Sequence, residues 1–179
     1  ADIYSMYFCT FTCFQWLPLI ETTKSYDLVY NWFNMLKQQK ISVIAFVIMP
    51  NHLHCMLHFP EPDFNLNKII SNAKRFMAYE IVNRLEKNKE TVLLELLAKS
   101  VTIREQKKGQ LHKVFKSSFD AKPIFSDKFL MQKLNYIHNN PVSGKWDLAK
   151  DVLSYEHSSA SFYELGITRH FQPVHFRDL

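Results

Sequence analysis

The sequence is short of the features that would place it in several large classes. Its 179 residues include three cysteines, Cys9, Cys13 and Cys55. They form no Cys-x-x-Cys pair and leave one thiol over, which argues against a disulfide framework or a thiolate zinc site and for small buried apolar residues. No apolar stretch reaches the about 18 residues of a membrane-spanning helix; the longest, Ile41 to Met49, falls far short. The first residues have neither the basic nor the apolar region of a secretory signal, so a soluble, cytoplasmic chain with no membrane partner is expected. A Gly-x-x-x-x-Gly-Lys-[Ser/Thr] loop is missing, and with it the phosphate cradle of ATP-driven enzymes. Internal repeats and low-complexity segments are missing too.

What is present fits one globular domain over 1–179. Apolar residues make up 47% and charged residues 22%, close to globular averages, and a chain of this length buries most of its apolar surface. The formal charge of +5 is unevenly spread. Basic and acidic side chains balance over 1–98 and nearly balance over 134–179. Between 99 and 133, Lys99, Arg104, Lys107, Lys108, Lys113, Lys116, Lys122, Lys128 and Lys133 face only Glu105, Asp120 and Asp127. A block of this kind suits a polyanion, most often nucleic acid, or else a solvated helix face.

The pattern of apolar residues predicts a strand over Met6–Gln15 and a loop over Pro18–Lys24. A helix follows over Asp27–Lys40, capped by Ser25 or Asp27, then a hairpin of Ile41–Met49 and His52–Phe59 around Pro50-Asn51. A long helix is expected from Asn65 to about Glu86, with Leu66, Ile69, Ile70, Ala73, Phe76, Met77 and Ile81 as its inner stripe. A basic helical insertion is expected at about 91–110, its helix running from Thr91 to about Lys107 and ended by Gly109. A further strand is expected over Leu111–Phe119. The helix Asp127–Asn139 has the stripe Phe129, Leu130, Leu134 and Ile137 and is stopped by Pro141; a short helix is expected near Ser158–Leu165. This order predicts an α+β fold, a small antiparallel sheet with helices on one face.

Two groups of residues could do chemistry. His52 and His54 lie at i and i+2 of a strand, on the same face, with Leu53 turned into the core; His58 shares their parity. Such a pair either holds one divalent ion or is simply a pair of partly exposed strand histidines. Tyr136 and Asn140 lie one helical turn apart on the same face. A tyrosine oxygen is a competent nucleophile and an amide oxygen is a hard ligand suited to Mg²⁺ or Mn²⁺, while an ordinary amphipathic helix would carry the same residues. On these residues alone both pairs of alternatives stay open.

The two groups occur in longer runs. VIMPNHLHCML followed some eighty residues later by LNYIHNNPV, with YFCTFTCF before them and HSSASFYE after, resembles the single-tyrosine HUH transposases. Within these insertion-sequence enzymes it is most similar to the REP-associated tyrosine transposase branch. The resemblance implies a ferredoxin-like βαββαβ palm plus a C-terminal helix carrying the nucleophile. It implies a metal-dependent endonuclease and strand transferase for single-stranded DNA, cleaving next to hairpins through a 5′-phosphotyrosine intermediate. Tyr136 would be catalytic; His52, His54 and Asn140 would hold Mg²⁺ or Mn²⁺. Lys74, Arg75, Lys107, Lys108, Lys113 and Lys116 are the candidate DNA contacts. The implied partner is single-stranded DNA with imperfect hairpins in the bacterial nucleoid, bound by a monomer or homodimer. Rolling-circle initiators and relaxases share the histidine pair, but the second helix tyrosine at Tyr-x-x-x-Tyr spacing, carried by many initiators, is missing. A catalytically silent hairpin binder is the alternative of another class.

Overall fold

The computed structural model describes residues 4–179. Strand β1 (Met6–Thr12) is followed by two short helical turns, Phe14–Trp16 and α1 (Leu19–Thr22), then helix α2 (Tyr26–Gln38) and the hairpin β2 (Ser42–Met49) and β3 (His52–His58). Helices α3 (Leu66–Lys87), α4 (Thr91–Lys99) and α5 (Ile103–Gln106) lead to a short strand β4 (Asp120–Pro123). Helix α6 (Asp127–Asn139) runs into a 3-10 turn, Asn140–Val142, and α7 (Ala160–Leu165) lies in the C-terminal arm. The sheet order is β2-β3-β1-β4 with every neighbour antiparallel, the βαββαβ palm expected.

Alternation along the strands divides the molecule into two cores. Cys9, Phe11, Leu53, Cys55 and Leu57 point to α2 and α3, where Val29, Phe33, Leu36, Ile70, Met77 and Ile81 meet them. Met6, Phe8 and Met56 point the other way, to Leu130, Leu134 and Ile137 of α6 and to Tyr155 of the arm. A register shift between Val43 and Ala45 lets β2 serve both: Val43, Phe46 and Ile48 join the first core and Ile44, Ala45, Val47 and Met49 the second. The cysteines are free and buried; burial pushes the Cys9 and Cys13 thiols up to about 12.

Several expected elements are corrected. β1 stops at Thr12, because the backbone turns left-handed at Gln15 and Trp16, φ 51° and 58°. The loop before α2 contains α1. Ser25 stands at the N-cap of α2, but its hydroxyl bonds Thr23 rather than a backbone N–H. Asn65 caps α3 by accepting from Lys68 N. The predicted helix from Thr91 to Lys107 is two helices, since Thr102 and Glu105 close a capping box that starts a new one. Phe76, expected inside, is 58% exposed. Leu111–Phe119 is not a strand: only Phe115 bridges to Cys13. The fourth strand lies further on and is polar, since as an edge strand it needs no apolar alternation and its proline sits at the end.

The arm closes the other edge. Ile48 N donates to His157 O, Ser159 N to Phe46 O and Val174 N to Val43 O, so β2 presents few open backbone groups. Ser159 Oγ accepts from Phe46 N and contacts His138 Nε2 at 2.9 Å, pinning α6 to the sheet. His157 stacks on Tyr26 with ring centroids 3.7 Å apart and meets Tyr30 Oη at 3.0 Å. Among the described residues no helix is long and apolar enough to cross a membrane.

Two stability measurements test this picture. Ser159→Ala leaves buried groups on β2 and α6 without a partner, and urea unfolding should show a loss of about 1–3 kcal/mol; no change would mean that α6 is held otherwise. Burial lowers the His157 imidazole from 6.5 to about 4. As pH falls below about 6.5 the unfolded chain takes up a proton there that the folded one refuses until about 4. Stability should therefore be flat above that window and fall through it on acidification. His157→Phe should make the fall shallower, and an unchanged slope would remove His157 from it.

Candidate active site

His52 and His54 stand on β3 facing α6, because Leu53 between them fills the opposite core. Their ring centroids are 4.7 Å apart. Tyr136 crosses the same ground from α6, its ring centroid 5.1 Å from that of His54. Asn140 keeps right-handed helical dihedrals, φ −55° and ψ −43°, although Pro141 follows it, and so projects from the face of Tyr136. Its Oδ1 lies 3.2 Å from His52 Nε2. The structure thus brings together the four residues that the sequence singled out for catalysis and metal binding. Tyr136 remains 48% exposed, while His52, His54 and Asn140 are buried.

Burial holds both imidazoles neutral, His52 down at about 4 and His54, with His52 and Lys133 nearby, at about 3. A neutral imidazole carries one N–H. His52 nevertheless meets two amide oxygens, Asn51 Oδ1 at 2.6 Å from Nδ1 and Asn140 Oδ1 at 3.2 Å from Nε2. One contact must therefore oppose a lone pair to an oxygen. The Asn51 amide is oriented by its Nδ2, which donates to Trp16 O at 3.0 Å, so the shorter contact takes the proton and Nε2 is left bare beside Asn140. Two acceptors converging in a dry place suit a cation between or beside them. His54 is held in the same manner, with Thr10 Oγ1 2.6 Å from its Nδ1. Asn51 and Thr10 are the ring-orienting partners that metal-binding histidines require. Among the described residues no three His, Cys, Asp or Glu side chains gather to hold a metal. The available set, two imidazoles and an amide oxygen, is incomplete by itself and fits an ion that completes its shell with water and substrate oxygens, as Mg²⁺ and Mn²⁺ do.

A cleft of about 410 Å³ opens beside Tyr136. Its floor is the second sheet face, with Phe8, Thr10 and His54; α6 forms one wall and Trp16 with residues 116–119 the other. Lys133, one turn before Tyr136, places its Nζ 5.4 Å from that ring, and burial together with Lys122 lowers its ammonium below the ordinary value. The six candidate DNA contacts are differently placed. Lys116 reaches the cleft, its Nζ 4.2 Å from the Trp16 ring. Lys74 donates to the carbonyls of Lys116, Ser117 and Ser118, which holds that wall in shape, and burial lowers it to about 8. Lys113 is 2.9 Å from Glu105. Arg75, Lys107 and Lys108 are exposed. Sequence reasoning missed Asn51, Thr10, Trp16 and Lys133 as site residues. Only Lys133 left a signal there, its i,i+3 spacing to Tyr136.

Known proteins bear on this arrangement. Residues 19–100 match the family model described as "Transposase IS200 like". Among curated proteins none matches the sequence. The structure of a REP-associated tyrosine transposase bound to a REP hairpin superposes with a TM-score of 0.63 at 17% identity, over 97% of this chain and 90% of that one. At that identity the likeness is one of fold. A candidate transposase from Deinococcus radiodurans R1 overlaps at a TM-score of 0.44 and 13% identity, over 78% and 92% of the two chains, too loosely to argue from. The stretch that matches the IS200-like transposase model, residues 19–100, is the one that carries His52 and His54.

Proposed function

We propose that this chain is a metal-dependent endonuclease and strand transferase that cuts single-stranded DNA beside hairpins, with Tyr136 as nucleophile. The observation that carries the proposal is the convergence of His52 Nε2, His54 and Asn140 Oδ1 on the ground that Tyr136 faces, at the end of a cleft lined by lysines. The structural neighbour with its REP hairpin supports hairpin DNA as the partner.

Tyr136 Oη attacks the scissile phosphorus and bonds to the 5′-phosphate of the downstream fragment; the bond to the 3′ oxygen breaks, and the proton lost by the phenol is matched by the one that turns that oxygen into a free 3′-hydroxyl. A 3′-hydroxyl of another strand reverses the step and frees the tyrosine. One phosphoester replaces another at each step, so no nucleotide hydrolysis is needed. His52, His54 and Asn140 would hold a divalent cation, Mg²⁺ or Mn²⁺, which would supply Lewis-acid polarisation of the phosphate. Lys133, with its Nζ 5.4 Å from the Tyr136 ring, sets positive charge beside the phosphate that Tyr136 attacks. Asn51 and Thr10 keep the imidazole lone pairs aimed at the site. Lys116 holds a phosphate along the cleft, and Lys74 positions Lys116 through the loop carbonyls it binds. Arg75, Lys107, Lys108 and Lys113 make backbone contacts farther out, which position the DNA without reading it.

Tyr136→Phe should keep hairpin binding and abolish the covalent protein–DNA band on a denaturing gel with a suicide hairpin oligonucleotide from the flanks of the gene; a band from that variant would reject the nucleophile. Titration calorimetry with Mn²⁺ should show binding that His52→Gln or His54→Gln each removes. Asn51→Leu should weaken it by about 10–100-fold through the lost orientation of His52. Undiminished Mn²⁺ affinity in both histidine variants would place the metal elsewhere.

A further inference from the structure

The cleft beside Tyr136 contains one group that phosphate binding does not use. Asp120 opens β4 opposite Thr10, so its side chain shares the sheet face of Thr10 and His54 and lines the cleft. It is exposed and makes no hydrogen bond or ion pair among the described residues, although Lys116, Lys122 and Lys133 line the same space. A free carboxylate repels a polyanion. It is of use to the part of a nucleotide that carries N–H donors, and that part is the base.

Trp16, which also lines the cleft, offers the complementary surface. Trp16 is 50% exposed, and its backbone, like that of Gln15, is held at positive φ, 51° for Gln15 and 58° for Trp16. Such strain persists only where surrounding structure imposes it. Here Asn51 does so by donating to Trp16 O, the same amide that orients His52. The indole face receives the Lys116 ammonium, and a nucleobase stacking there would pass that ammonium to its own phosphate. The volume, about 410 Å³, lies at the lower end of the range of about 300–1,000 Å³ for small-ligand sites, in keeping with a single nucleotide.

We propose that the cleft is a one-nucleotide subsite that selects the base flanking the scissile phosphate, with Trp16 as the stacking platform and Asp120 as the reader. The proposal rests on the strand-cleaving function above and adds its specificity. Guanine presents two adjacent donors, N1–H and N2–H, to the two carboxylate oxygens. Cytosine and adenine present one amino group. Thymine presents a single N3–H between two carbonyl oxygens, which the carboxylate repels. The expected order is guanine first and thymine last.

The test uses the full chain, Mn²⁺ and a set of suicide hairpin oligonucleotides with a constant hairpin and each of the four bases at the nucleotides flanking the cut. At one flanking position the wild type should form adduct about 10–100-fold faster with guanine than with thymine, the scale of one good base contact. Asp120→Asn should level the series by raising the thymine substrate. Trp16→Ala should slow all four about tenfold or more and keep their order. Equal rates in the wild type, or an Asp120→Asn series that keeps the wild-type order, would overturn the subsite while leaving strand cleavage standing. If no oligonucleotide gives an adduct, the cleavage reading fails instead. Anisotropy of the same set with Tyr136→Phe then decides the subsite by its base ranking alone.

Discussion

The packing of α6 across the second face of the sheet is the constraint on which the rest of the molecule depends. Leu130, Leu134 and Ile137 lie against Ile44, Ala45, Val47, Met49 and Met56, and burying three such side chains is worth about 1.5–3 kcal/mol each. The helix turns 100° per residue, so once those residues face inward, Lys133 and Tyr136 must lie along its flank, toward β1 and β4. The imidazoles come up from β3 on the same face because Leu53 is committed to the other core. Nucleophile and metal ligands therefore meet through two independent hydrophobic decisions. The bulge in β2 joins these decisions, since it lets one strand supply apolar side chains to both cores in sequence-adjacent positions.

That packing also sets the electrostatics. Two imidazoles under a helix lose their water, and desolvation disfavours their charged form; both stay neutral at any pH near 7. Neutral rings flanked by acceptors are short of protons, and the deficit is greatest between His52 Nε2 and Asn140 Oδ1. Positive charge is supplied from the rim, by Lys133, Lys116 and Lys122, which remain in reach of solvent. The arrangement keeps protons off the ligands and cations close to where a phosphate would lie.

Legibility in the sequence followed burial. Helix α6 was read with its bounds unchanged because the apolar stripe and Pro141 agree with the structure. Strand β3 was legible from alternation, and so was the shared face of His52 and His54. Strand β4 was not, since Asp-Ala-Lys-Pro has no inner face to keep apolar, while the apolar residues from Leu111 to Phe119 include Leu111, which is exposed, and Val114 and Phe115, which are buried without a ladder. Phe76 was misplaced for the same reason: its periodicity says core, and it lies at the surface. Asn51 looked like a turn residue, and it is one. Its second task, holding His52 by one amide atom and Trp16 by the other, depends on a contact that no local pattern encodes.

Local preferences are broken at several places, and three of them touch the site. Gln15 and Trp16 lie in the left-handed region without being glycine. Asn140 stays helical before a proline, a conformation that clashes with the proline ring. Asp120 stands unpaired among lysines. Each departure costs stability, and each is imposed by contacts that also orient a candidate functional group: Asn51 through Trp16, the 3-10 turn through Asn140, the β1–β4 register through Asp120. Consistent local rules elsewhere make the fold robust enough to carry these exceptions. The left-handed residues on the α2–α3 side, Lys24, Lys40 and Lys89, sit beside helix ends and orient no candidate group; those on the α6 side are tied to residues that do.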